Sequence, residues 1–200
     1  VNAFVSLLKR ADMTRYELFL RETRTYEIIE DVKNFRSEIG VLFLNSYNRD
    51  VLTKMFDDNR LTYTSLFKAR PHIFVSKSNP LAKHEVVSLE DLEDFPYLSY
   101  DQGIHNSFYY SEEILSQIPH KKSIVVSDRA TLFNLLIGLD GYTIATGILN
   151  SNLNGDNIVS IPLGIDDEID IVYLKHEKAT LSKMGEKFLD NLVKEVTFDN

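Results

Sequence analysis

Apolar residues along this chain follow two alternating rhythms. Short apolar runs, as strands require, give way to stretches in which apolar residues return every three or four positions, as one face of a helix requires. Val5, Leu7 and Leu8 close a short helix, and 16–20 reads as a strand. Ile28, Ile29 and Val32 give 26–35 one apolar face, with Thr25 as expected N-cap and Glu27 in the first turn. The run 39–44 is apolar almost throughout, the pattern of a parallel strand covered on both faces. A helix at 50–56 and a strand at 61–67 follow.

After Pro71 the pattern predicts strands at 72–76, 97–100, 123–126, 142–145, 159–162 and 168–174. Between them lie a turn at 79–82 and a one-turn helix at 89–92, with Ser88 and Asp91 as a capping box and Pro96 as its stop. A helix at 107–118 takes Ser107 as cap. Another, at 130–137, takes Asp128 as cap and ends at Gly138 and Gly141. Ser182 opens a last helix to about residue 196, and 101–106 and 151–157 are polar loops. Alternating strands and helices predict an α/β fold with mostly parallel sheets. No repeat, low-complexity stretch or long linker appears, so any two lobes would be joined by strands.

Composition narrows the function. An apolar share of 44% supports a real core. No apolar run approaches the roughly 20 residues that span a bilayer, and the first ten residues do not read as a signal peptide. Cysteine is absent, which removes disulfides, thiolate metal sites and a Cys nucleophile, and fits the cytoplasm. A net charge of −8 with scattered Lys and Arg is the wrong electrostatics for this chain to hold DNA by itself.

Enzyme chemistry finds little to use. His72, His84, His105, His120 and His176 show no HxH or HExxH spacing, so no metal site is expected. There is no G-x-S-x-G elbow and no glycine-rich phosphate loop, and the acidic runs read as solvated faces. Neither a catalytic residue nor a cofactor is expected.

Three segments together resemble the effector-binding domain of LysR-type transcription regulators. The first runs from 16–22 through Thr23-Arg24-Thr25 and its helix to Glu38-Ile39-Gly40-Val41. The second is 66–82, ending Asn79-Pro80-Leu81-Ala82, followed by Val87-Ser88-Leu89-Glu90-Asp91-Leu92. The third is Ser127-Asp128 through Gly141 and the strand to Thr146. Asn79 stands where the family usually has His, Leu139 replaces an earlier glycine, and Thr146 stands where proline is common. The family's domain opens with a strand before its first helix; these residues begin inside that helix, and the helix-turn-helix is also absent from them.

The resemblance implies two Rossmann-like lobes, similar to periplasmic-binding-protein type II folds. Lobe I would comprise 1–68 and 168–200, and lobe II 69–167, with hinge crossings near 68–69 and 167–168. It also implies a cytoplasmic transcription factor that senses a small-molecule effector in the interlobe cleft. Such a domain forms a homodimer or tetramer, its 1–10 and 16–20 segments packing on the helix near 128–138 of a second copy. It binds DNA only through the absent N-terminal domain and needs no membrane. A solute-binding protein of a transporter shares the lobes and is the alternative.

The residues that would meet an effector follow from helix N-termini at strand ends, where free N–H groups favour anions. On one side these are Thr23, Arg24 and Thr25. On the other they are Gln102, His105, Asn106, Ser107 and Phe108, with Thr146 and Gly147 after a third strand. Each has a plainer role: Thr25 as a cap, Arg24 as a solvated surface arginine, 101–108 as an exposed loop. Tyr109 and Tyr110 line the cleft or cover an interface, unless they simply pack.

Overall fold

The computed structural model describes residues 1–10, 15–105, 107–149 and 156–198. The first part contains α1 (Asn2–Arg10), α2 (Thr25–Lys33), β1 (Gly40–Leu44), α3 (Arg49–Asp58) and β2 (Leu61–Ala69). Then come β3 (His72–Ser76), β4 (Tyr97–Tyr100), β5 (Ser123–Val126), α4 (Arg129–Gly138), β6 (Tyr142–Ala145) and β7 (Ile158–Pro162). The chain finishes with β8 (Ile169–His176) and α5 (Lys183–Phe198).

These strands form two sheets, ordered β1-β8-β2 and β5-β4-β6-β3-β7. The expected mostly parallel arrangement gives way to mixed sheets. β8 is antiparallel to both neighbours, and β3 is antiparallel to β6 and β7. Among the described strand pairs, only β4 with β5 and β4 with β6 run parallel. An apolar run reports that both faces are covered, not which way the neighbouring strand runs. Direction is set by the crossings: β2 leaves the first sheet, and β8 comes back into it from the second.

Alternation decides which side chains reach each core. Leu42 and Leu44 of β1, with Val172 and Leu174 of β8, meet Ile29 and Val32 of α2 and Leu52 and Phe56 of α3. In the second sheet, Ile73 and Val75 face one layer with Tyr97, Ile144 and Ile161. Phe74, Leu98 and Val126 face the other, against Leu132 and Leu136 of α4. Ile169 belongs to the first of these layers, and the half-buried Phe43 and Ile171 pack on it, so this cluster reaches the strands of the first sheet.

Several local expectations change. Residues 16–20 form no strand, and among the described residues β1 pairs only with β8, so its other edge has no partner strand. Leu18, Phe19 and Leu20 instead line a groove of about 520 Å³ with Phe4, Ile39 and Phe188. The helix expected at 107–118 shrinks to a 3-10 turn at Phe108–Tyr110. Leu115 adopts a φ of 62°, which no continuing helix allows. At the end of α4, Gly138 stays helical and the left-handed residue is Asp140, at φ 51°. Most of the expected polar loop 151–157 lies outside the described residues. The Ser88–Asp91 capping box and the Asp128 cap form as expected, Asp128 accepting from the Thr131 N–H at 2.8 Å.

Phe56 is wholly buried between α3 and the first sheet. Phe56→Ala should cost about 3–5 kcal/mol through lost burial and the cavity left behind. Urea unfolding followed by circular dichroism measures this; a loss below about 1 kcal/mol would contradict the packing.

Candidate functional site

Register places the strand ends. β4, β5 and β6 are parallel, with Tyr100 beside Val126 and Tyr97 beside Tyr142. Their C-terminal ends, carrying Asp101, Ser127 and Thr146, therefore share one edge of the second sheet. His72 pairs with Ala145, which brings that edge to the point where the chain crosses from the first sheet. Leu44 pairs with Asp170, so β1 also ends at the crossings. There Asp167 accepts from the Asn45 amide and the Ser46 hydroxyl, and buried Asp170 accepts from Ser65 at 2.5 Å and Arg49 at 3.2 Å.

The N-terminus of α2 meets the turn after β4. Arg24 Nε donates to the Asp101 carbonyl at 3.0 Å, and Nη2 to the Asp101 carboxylate at 2.9 Å. Gly103, at φ 63°, lies under the guanidinium; a Cβ there would stand 2.8 Å from Arg24 Nη1. The Gly103 N–H donates back to Asp101 Oδ1 at 2.8 Å, so one carboxylate fixes both the turn and the arginine. Tyr26 stacks on His105 with centroids 3.5 Å apart, and Tyr47 on Tyr109 at 4.8 Å. Arg129, at the start of α4, approaches Glu22 at 3.7 Å and lies over the Tyr100 ring. Around these contacts opens a recess of about 430 Å³ lined by Arg24, Tyr26, Gln102, Ile104 and His105, and backed by the buried Asp31 with its partners Arg21 and Arg36.

The structure thus brings Arg24, Gln102 and His105 to one recess. Thr25 departs from its expected role. Arg24 occupies the N-cap position, without a side-chain cap bond, while Thr25 is the first helical residue and is buried. A buried side chain under the first turn cannot reach back to cap it. The Thr23 hydroxyl instead donates to Glu27, which holds that carboxyl below its usual range. Ser107 caps the short turn through the Tyr109 N–H at 3.5 Å, and Phe108 points into solvent. Gly147, at φ 80°, lies against the His72 ring, which leaves no room for a side chain, and its carbonyl accepts from Ser160. Thr146 and Gly147 therefore border the crossing rather than the recess. Asn106 lies outside the described residues.

Two residues escaped sequence reading. Glu112 and Glu113 fall within the helix expected at 107–118, with no role expected for either, yet both turn inward. Glu113 is buried and accepts from the Tyr100 N–H at 2.9 Å. The Gln102 amide donates to Glu112 at 3.5 Å, a weak contact. Burial raises the Glu113 pKa to about 8, opposed by the Tyr100 bond and reinforced by the neighbouring Glu112 charge. Burial also raises Glu112. The only hint in sequence is that these acids precede Ile114 and Leu115, apolar residues that pull the segment inward.

A raised carboxyl pKa means the folded state holds a proton that the unfolded state releases, so stability falls as pH rises between about 4.5 and about 8 and then levels. Chemical denaturation across that range should show the decline. Arg24 and Asp101 are both partly exposed. Their coupling in a double-mutant cycle of Arg24→Ala and Asp101→Ala should reach only about 0.2–1 kcal/mol and shrink with salt.

Comparison with known proteins places this geometry. The chain matches the family described as the LysR substrate binding domain over residues 10–197. No curated protein matches it. Among solved structures it is similar to the effector binding domain of QuiR in complex with shikimate, at 17% identity and a TM-score of 0.63, covering 96% of this chain and 88% of that one. The BenM effector binding domain with its effector benzoate gives 18% identity and a TM-score of 0.63, covering 99% and 86%. HinK, a LysR family transcriptional regulator from Pseudomonas aeruginosa, gives 16% and 0.60; this chain is covered to 90% and spans 60% of HinK. No helix among the described residues is long and apolar enough to cross a membrane. With residues 10–197 matched, the chain belongs to the LysR substrate-binding domain family, and its mixed sheets and helices make an α/β fold.

Proposed function

We propose that this domain senses a small, anionic metabolite where α2 meets the 101–105 turn, and through it controls a DNA-binding head carried elsewhere in the regulator. The observation that carries this reading is the recess lined by Arg24, Gln102 and His105, which joins the first sheet's layer to the second's. Arg24 offers a fork of N–H donors beside a helix N-terminus, a combination that suits a carboxylate. Asp101 now fills that fork, so an effector carboxylate would compete for it.

In this reading lobe I comprises 1–68 and 168–200, lobe II 69–167, and the crossings near 68–69 and 167–168 act as hinges. The effector shifts the balance between lobe arrangements by binding one more tightly than the other. Thr23, Thr25, Ser107 and Phe108 then flank the recess, and Thr146 and Gly147 border the crossing beside it. The domain works in the cytoplasm as a dimer or tetramer, α1 and 16–20 packing on α4 of a second copy, and it carries out no reaction of its own.

Shikimate and benzoate, the ligands of two structural relatives, open a thermal-shift panel of ring carboxylates. A binder at 100 times its dissociation constant should add about 2.7 kcal/mol of apparent stability. Arg24→Ala should abolish the shift, and Lys54→Ala, on the exposed face of α3, should keep it. A shift that survives Arg24→Ala would move the site elsewhere.

A further inference from the structure

The acid pair behind the 101–105 turn does more than fill space. Either side of Asp101, the Tyr100 N–H is held by Glu113 at 2.9 Å and the Gln102 amide makes a weak contact with the neighbouring Glu112. Asp101 in turn holds Arg24. One path of contacts therefore runs from Glu113 through the strand end to the recess.

Glu113 cannot carry charge comfortably in this position. Its Oε1 accepts a single N–H, while Oε2 is buried with no hydrogen-bond partner among the described residues. Tyr97, whose hydroxyl is also buried without a partner, acts on Glu113 from β4 and stacks on His120. The other titratable groups nearby are Tyr100 on β4, Glu112 on its own segment, Arg129 on α4, and Tyr142 on β6 beside Tyr97 and His120. Arg129 is the one cation acting on Glu113 in this set. An ion with one donor and a neighbouring acid is costly; the neutral carboxyl is not.

We propose that Glu113, as a neutral acid, is the positioning residue of the 100–105 turn, so that the turn tightens on Arg24 as pH falls and loosens as pH rises. The consequence for effector sensing rests on the proposed site; the brace itself does not. A closed turn that keeps the proton and an open one that releases it differ by one proton, so opening grows more favourable by about tenfold per pH unit between the two pKa values.

Hydrogen exchange of the full chain tests this, measured from about pH 5 to about pH 9 and corrected for the intrinsic pH dependence of exchange. Protection of peptides spanning 100–103 should fall about tenfold per pH unit and level above about pH 8. Glu113→Gln, neutral at every pH, should flatten that slope while keeping the turn protected. A flat wild-type profile, or a slope unchanged in Glu113→Gln, would overturn the proposal. Should the variant not fold, carbon NMR of the wild-type Glu113 carboxyl decides: titration near pH 8 supports the brace, and titration in the ordinary carboxylate range refutes it. A slope that depends on Glu113, alongside a metabolite shift that survives Arg24→Ala, would leave the brace standing and the site reading fallen.

Discussion

The return of β8 into the first sheet is the constraint from which the rest of the molecule follows. β8 lies between β1 and β2, hydrogen-bonded along both edges, with Ile169, Val172 and Leu174 fully buried. Because the chain leaves by β2 and comes back by β8, the two crossings lie side by side. Lys68 pairs with Asp170 and Ala69 with Ile169 at that point. The second sheet is thus tied to the first by two strands rather than by a tether, and its strand ends face the crossings. Buried Asp170, held by Ser65 and Arg49, adds a polar clasp where a free carboxylate would be expensive.

The candidate site is a consequence of that geometry. Strand ends leave backbone groups and helix N-termini unsatisfied, and here they are turned toward one another across the junction. The contacts between them are mainly polar or aromatic: Arg24 with Asp101, Tyr26 with His105, Tyr47 with Tyr109. Exposed ion pairs and ring stacks of this kind are individually weak. The junction therefore differs in character from the apolar clusters on either side of it. Buried acids beneath the turn couple that weak junction to a more sheltered part of the second sheet.

Much of this was legible beforehand. Strands 72–76, 97–100, 123–126 and 142–145 and the helix after Asp128 lie where apolar spacing and capping residues put them, because burial and capping are local demands written into side-chain order. The family likeness rested on such segments, and the family match extends over them. Arg24, Gln102 and His105 could be named because helix starts and strand ends can be read from pattern. Other features were not legible. The 16–20 pattern is that of a strand, but a strand needs a hydrogen-bonded partner, and among the described residues 16–20 pairs with none. The 107–118 stretch has helical spacing, yet Glu113 is drawn to the Tyr100 N–H and Leu115 turns left-handed.

What the sequence determined by itself is the order and kind of most elements, since each depends on residues close along the chain. It also determined that the surface is acidic and that cysteine chemistry is absent. Tertiary structure alone decided the direction of the strands, the partner of Arg24, the burial of Thr25 and the burial of Glu113. Those depend on residues far apart: Arg24 and Asp101 are 77 positions distant, and Ser65 and Asp170 are 105. Periodicity is blind to such distances, because a contact between remote residues exists only once the strands have chosen their neighbours.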